Sequence, residues 1–304
     1  MFEENRWKLW VLGSLGVVVF FVCGQMSVRA GEEASDGEEW GILRSALKER
    51  ADAFENGKMH VQEVNWVVNA DKFRDLQALG ALMSLQILSE ENAYRLSLQL
   101  LQAMEVEFGP GQETRWEYLV RPDGAKVVQR EESGKVEKMN GYLDGVMVWY
   151  DLDRGQLMMS ETVEVDKLLF HHSMVDPTLR GALMMGPDAE KNSIQMRVFE
   201  DLIEVRGNEF VHKLRKTEDG DLLVEEVSKP GEMDFSRYGN YSRVEESARI
   251  APYCGLHVEE GKEGNLNVRL WVVQSWRVGE VENQDLLIRV PADTNIIQDW
   301  VDHF

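Results

Sequence analysis

The run at residues 266–276 constrains this chain more than any other. Leu266, Val268, Leu270 and Val272 alternate onto one side of a strand, while Trp271 and Val273 take the other. A strand that is apolar on both sides must be covered on both sides, or present one side to a partner. The chain therefore needs a sheet with material above and below it, and the remaining period-two runs supply the other strands.

Residues 59–68, rich in Val and Trp, read as an early strand. Trp116, Tyr118 and Val120 alternate with Arg115, Glu117, Leu119 and Arg121, and Arg121-Pro122-Asp123-Gly124 turns the chain into residues 125–130. A further hairpin joins residues 145–151 to 156–160 around Asp153-Arg154-Gly155. Residues 196–206 read as one strand that turns at Gly207-Asn208 into residues 209–216. Glu218-Asp219-Gly220-Asp221 leads into residues 222–228, residues 235–239 read as a polar turn, and residues 252–258 are extended. Roughly ten strands in such a meander predict an α+β fold, a single strongly curved antiparallel sheet (a half-barrel) with helices on its concave side.

Helical spacing appears in three places. Trp40, Leu43, Leu47, Ala51 and Phe54 line one face of a helix over residues 38–56, which Asn56-Gly57 stops. Phe73, Leu76, Leu79, Met83 and Ile87 form a second stripe. Ser89 caps a third helix over residues 90–106, and Gly109-Pro110-Gly111 ends it. Residues 71–108 thus read as a helical hairpin inserted between the first two strands, either a fixed cap over the core or a lid. Residues 163–185 read as mostly helical, broken at Asp176-Pro177.

The first thirty residues read as a signal peptide. Arg6 and Lys8 precede an apolar run of 15 residues, 9–23, and Val28 and Ala30 provide the small residues of a cleavage site before Gly31. The run falls short of the roughly 18–20 residues that span a bilayer. Export to a periplasm or secretion after cleavage near Ala30 is expected, with anchoring in the inner membrane by residues 9–23 as the alternative. Residues 31–37 form an acidic linker, and residues 38–304 form one domain. Without residues 1–30 the chain holds 30 Lys and Arg against 52 Asp and Glu, a net charge of −22. Such an acidic protein repels phosphate backbones and anionic headgroups, so no nucleic-acid partner is expected. Cys254 is the one cysteine left, which excludes an intramolecular disulfide.

No residue pattern predicts catalysis, a metal or a cofactor. His171-His172, with Asp176 or His60, invites a metal reading, but adjacent helical histidines point about 100° apart. Cys254 and His257 project to opposite faces if their segment is a strand, which favours a buried, unreactive thiol. No Gly-x-Ser-x-Gly elbow, P-loop or dinucleotide fingerprint is present. Asn240-Tyr241-Ser242 matches a glycosylation sequon. The residues left to carry function are aromatic. Trp66, Trp116, Tyr118, Trp149, Trp271 and Trp276 all fall on expected strands. They are either core packing or the lining of an apolar groove.

The closing run Asp285-Leu286-Leu287-Ile288-Arg289-Val290-Pro291-Ala292-Asp293-Thr294-Asn295-Ile296-Ile297-Gln298-Asp299 resembles the C-terminal signature of the lipoprotein-sorting superfamily. That signature is a short hydrophobic strand, Pro, a small residue, then Thr, two hydrophobic residues and Asp. Asp144-Gly145, the apolar residues up to Trp149, Tyr150-Asp151 and Gly155-Gln156-Leu157 resemble the central hairpin of the same LolA-like half-barrels. The resemblance covers residues 38–68, 112–160 and 196–300, and not the insertion. It implies a bacterial envelope protein of the kind that serves lipoprotein sorting to the outer membrane. It further implies a non-catalytic carrier that shelters a lipid or lipoprotein acyl chain; the six aromatics read from the strands are the expected apolar lining. A protein-interaction or sensing module that binds envelope proteins without a lipid is the alternative.

Overall fold

The computed structural model describes residues 57–121, 124–143, 146–161, 195–206, 211–231, 233–243, 250–279, 281–292 and 294–298. The expected signal segment, linker, helix at 38–56, helical stretch at 163–185 and His171-His172 pair lie outside the described residues.

Within them, fifteen strands join one open, curved sheet. Its centre is β1 (Gly57–Asn69), flanked by β3 (Gln112–Arg121) and β14 (Asn265–Val278). From β3 the chain meanders outward through β4 (Gly124–Glu131), β5 (Val136–Leu143), β6 (Val146–Asp151) and β7 (Gln156–Glu161). The second wing begins at its outer edge with β8 (Gln195–Phe199) and β9 (Leu202–Arg206). It returns through β10 (Val211–Lys216), β11 (Leu222–Ser228), β12 (Phe235–Arg243) and β13 (Ile250–Glu260) to β14. Two short strands pair parallel: β2 (Ile87–Leu88) with β12, and β15 (Asn295–Gln298) with β7. The sheet is thus mixed, antiparallel except at these two additions.

Five local differences from the sequence reading appear, one of them a strand for which there was no expectation. Residues 196–206 are a hairpin rather than one strand, because Glu200 adopts φ +53° and Asp201 turns the chain while its carbonyl accepts from Lys216 N. Residues 235–239 begin strand β12 instead of a turn, since Phe235 and Tyr238 bury their rings. Residues 136–143, too polar to stand out, pair along their whole length as β5. Residues 287–290 form no strand before Pro291; they follow a short helix α3 (Asn283–Leu286), and only β15 rejoins the sheet.

The fifth difference concerns the insertion. Its first helix α1 (Phe73–Gly80) stops a full turn before Met83. Residues 81–86 then leave helical geometry and Ile87 enters β2, while the second helix α2 (Glu90–Phe108) starts at its Ser89 cap as expected. The cause is Asn240, fully buried at φ +56°. Its backbone N donates to Ser84 O (2.7 Å) and its Oδ1 accepts from Ser84 N (2.9 Å). Its Nδ2 donates to Ser97 Oγ on α2 (3.0 Å) and approaches Cys254 Sγ on β13 (3.3 Å). One side chain therefore ties the insertion, α2 and two strands together. Neighbouring Gly239 is needed there, because a Cβ would lie 2.6 Å from Met83 Cβ. The sequon residue is a structural knot, shielded from solvent.

Around this knot lies the main core. Leu76 of α1 and Leu100, Leu101 and Met104 of α2 pack on Val64, Trp66, Val68, Leu256, Val258, Leu266, Val268, Leu270 and Val272. Burying a leucine of this kind contributes about 1.5–3 kcal/mol. Further along the same face, Leu119 packs against Val281 and Leu286, and Lys126 Nζ donates to the carbonyls of Asp285 and Leu287. Residues 281–288 thus cross this face of β3 to β5 as a strap.

Candidate functional site

Residues directly opposite one another in an antiparallel pair share a sheet face. The pairings Trp276–Met59, Met59–Tyr118, Tyr118–Val127, Val127–Asn140, Asn140–Trp149 and Trp149–Met158 therefore form one row across seven strands, from β14 to β7. The parallel partner Ile297 continues it. A second row on the same face runs Val273, Val61, Trp116, Gln129, with Trp116 stacked on Tyr118 at 6.4 Å. A third joins Thr114, Glu63, Trp271, Gly255 and Tyr238.

Five of the six aromatics singled out in the sequence thus share one face. Trp66 is the exception: it pairs with Val268 on the helix-bearing face and donates from Nε1 to Gly109 O at 2.9 Å. Trp116, Trp149 and Trp276 are buried, as are Met59 and Val127, whereas Tyr118 and Trp271 are half-buried. Where β13 and β14 cease to pair beyond Cys254 and Val272, Ala93 and Tyr94 of α2 reach this aromatic cluster. Burial falls toward the β7 edge, where Met158 and Ile297 are half-buried.

Trp271 lies flat across β13. Glycine is required at 255, because a Cβ would fall 2.4 Å from the indole Cε2. The same indole meets Tyr238 at 6.2 Å.

One margin of the face is polar. Glu63 follows Val61 on β1, and its carboxyl accepts from Asn65 Nδ2 at 3.2 Å. Desolvation raises the Glu63 pKa, opposed by the nearby positive Arg269. The same burial raises the Tyr118 phenol pKa, with the Glu63 charge adding to it. His257, opposite Arg269, meets Ser236 Oγ at 2.9 Å and lies 3.5 Å from the Glu259 carboxylate. That His257 contact, with Arg269 and Asn267, holds the Glu259 pKa down to about 2. The face therefore grades from aromatic to charged, the pattern of a site that takes an apolar body with a polar end.

Sequence reading missed the polar atoms within the aromatic rows. Trp116 Nε1, Gln129 Oε1 and Asn140 Oδ1 are buried and meet no hydrogen-bond partner. Each such atom costs about 1–3 kcal/mol. Gln129 and Asn140 carry no pattern that marks them; only the register shows that they lie among the aromatics.

Cys254 behaves as its position implies. It faces the helices beside Ser97 and Asn240 while His257 lies on the other face, and burial pushes its thiol up to about 12. Exposed His60 has no such surroundings. Among the described residues, no three His, Cys, Asp or Glu side chains are placed to hold a metal ion. No described helix is long and apolar enough to cross a membrane.

No family model matches the chain, and no curated protein does. Solved structures similar to it include a LolA superfamily protein from Nitrosomonas europaea (TM-score 0.38, 9% identity, covering 81% of this chain and 97% of that one). A DUF1329 family protein from Desulfovibrio piger gives TM-score 0.36 at 10% identity, covering 82% and 98%. An uncharacterized conserved protein from Thermus thermophilus gives 0.34 at 8%, covering 84% and 99%. At these scores the likenesses decide nothing about function.

Proposed function

We propose that this chain is an exported, non-catalytic binding protein that shelters an acyl chain or similar lipid against the aromatic face of its sheet. The observation that supports this most is the continuous cross-strand row from Trp276 to Met158, apolar except for Asn140. An extended apolar chain lying across the strands would meet one side chain of that row every ~4.8 Å, the spacing of adjacent strands. The half-buried β7 end gives it a way in. Cleavage after Ala30 would release the carrier into the envelope.

A second reading has its own observation. β8 ends the strand order, and Val198 and Phe199 on it are exposed, which favours a partner protein adding a strand at that edge. Mass spectrometry of organic extracts from the purified protein separates the two. Stoichiometric co-purifying lipid supports the carrier. Absence of lipid, together with failure to take up N-phenyl-1-naphthylamine, rejects it and leaves the edge-binding module.

A further inference from the structure

We propose that the aromatic face holds a polar subsite for a secondary amide, so that the preferred ligand is an N-acylated group rather than an ester, a free acid or a plain hydrocarbon. This deepens the binding reading above and rests on it. The observation is the set of buried, partnerless atoms Trp116 Nε1, Gln129 Oε1 and Asn140 Oδ1. Trp116 and Asn140 are each only 6% exposed.

Their placement is local. Trp116 and Gln129 are direct cross-strand partners, so their Cβ atoms lie about 4.5–5.5 Å apart. Asn140 is the diagonal neighbour of Gln129, because Gln129 pairs with Lys138 two residues before it, which places it about 7–8 Å away. Trp149 stands directly opposite Asn140 and Tyr118 stacks on Trp116, so aromatic surface flanks the polar atoms on both sides.

The chemistry of the three atoms is specific. An indole N–H can only donate, and an amide oxygen can only accept. Together they ask for a neutral group with one acceptor and at least one donor. A secondary amide has both, its C=O taking the Trp116 N–H and its N–H going to Gln129 or Asn140. An ester offers the acceptor alone. A carboxylate offers no donor to the two oxygens and must also be desolvated as a charge. The amide nitrogen of Gln129 is already engaged, since Nε2 donates to Glu137 Oε2 at 2.7 Å, which leaves Oε1 as the end without a partner.

The test uses matched probes on the full chain after removal of residues 1–30: N-methyldodecanamide, methyl dodecanoate and dodecanoate, each displacing N-phenyl-1-naphthylamine. The proposal expects the amide to bind about tenfold more tightly than the ester, the effect of one buried hydrogen bond. In Asn140→Leu combined with Gln129→Leu that preference of amide over ester falls below about twofold. Equal affinity of wild-type protein for amide and ester overturns the subsite and leaves the carrier reading standing. Failure of all three probes and of the dye to bind overturns both. Should the double variant fail to fold, the wild-type comparison of amide with ester decides alone.

Discussion

Two buried asparagines, one on each wing of the sheet, have opposite surroundings. Asn240 on β12 uses both ends of its amide and its backbone N–H to join Ser84, Ser97 and Cys254. Asn140 on β5, in the aromatic row, leaves its Oδ1 without a partner. The first is what folding selects, a polar side chain whose hydrogen bonds specify one arrangement of helix and strand. The second is a buried acceptor that no hydrogen bond within the protein satisfies. The helix-bearing face of β12–β14 and β1 is therefore held by satisfied polar contacts, whereas the aromatic face of β1 and β3–β7 is the one we propose receives a ligand.

Removing the Asn240 side chain should have the largest effect. Asn240→Ala strands Ser84 N, leaves Ser97 Oγ only its bond to Ala93 O, and places alanine at positive φ, so about 3–4 kcal/mol of stability should be lost in urea unfolding. A loss under 1 kcal/mol would break the comparison.

Acid should act next, and on the second wing. His212 on β10 is 2% exposed, and desolvation lowers its pKa to about 4. Its neutral form is the buried one, so the folded state binds fewer protons below the unfolded value of about 6.5. Stability is then full above pH 6.5 and declines by up to about 3 kcal/mol as pH falls to 4. Hydrogen exchange should report this loss in β9–β11 before β3–β5, and His212→Gln should flatten the pH slope.

A smaller acid effect comes from Glu259, whose pKa the His257 contact, Arg269 and Asn267 hold down to about 2. That stabilisation is present above about pH 4.5 and is lost as pH falls toward 2. Since the side chain is 41% exposed, screening limits it to about 1 kcal/mol. Comparison of Glu259→Gln with the parent at pH 6 and pH 2.5 should show a clearly smaller difference at the lower pH.

Asn140→Leu should have the smallest effect, of opposite sign to Asn240→Ala. Replacing the partnerless amide with a similar-sized apolar group should leave stability unchanged or raise it by under about 1 kcal/mol. Calorimetry of the ligand-free protein checks it, and a loss of 2 kcal/mol or more would place Asn140 among the structural residues.

Much of the sheet was legible in the sequence because alternation is a local signal. Leu266 to Val273 announced a strand covered on both sides, and both sides are buried or half-buried. Cys254 and His257 fell on opposite faces as strand periodicity requires. What was not legible depended on partners distant in sequence. The Glu200-Asp201 turn contains neither Gly nor Pro, and Asn240 looks like any strand residue until Ser84 arrives to bond it. The aromatic site was half legible. Its residue types were visible, yet whether Trp66 shared a face with Trp116 depended on the pairing of β1 with β3, which sets Val61 rather than Trp66 on the face of Trp116. Gln129 and Asn140 belong to the site only through that register.

The central claim is that ligand lies against the aromatic face, and photo-crosslinking tests it most directly. Purified protein would be irradiated with a dodecanoyl amide bearing a terminal diazirine, and the modified peptides mapped by mass spectrometry. The account predicts adducts within β3–β7 on the row of Tyr118, Asn140, Trp149 and Met158, suppressed by excess N-methyldodecanamide. Adducts confined to α2 or to the β8 edge, or labelling that excess amide does not compete, would contradict it.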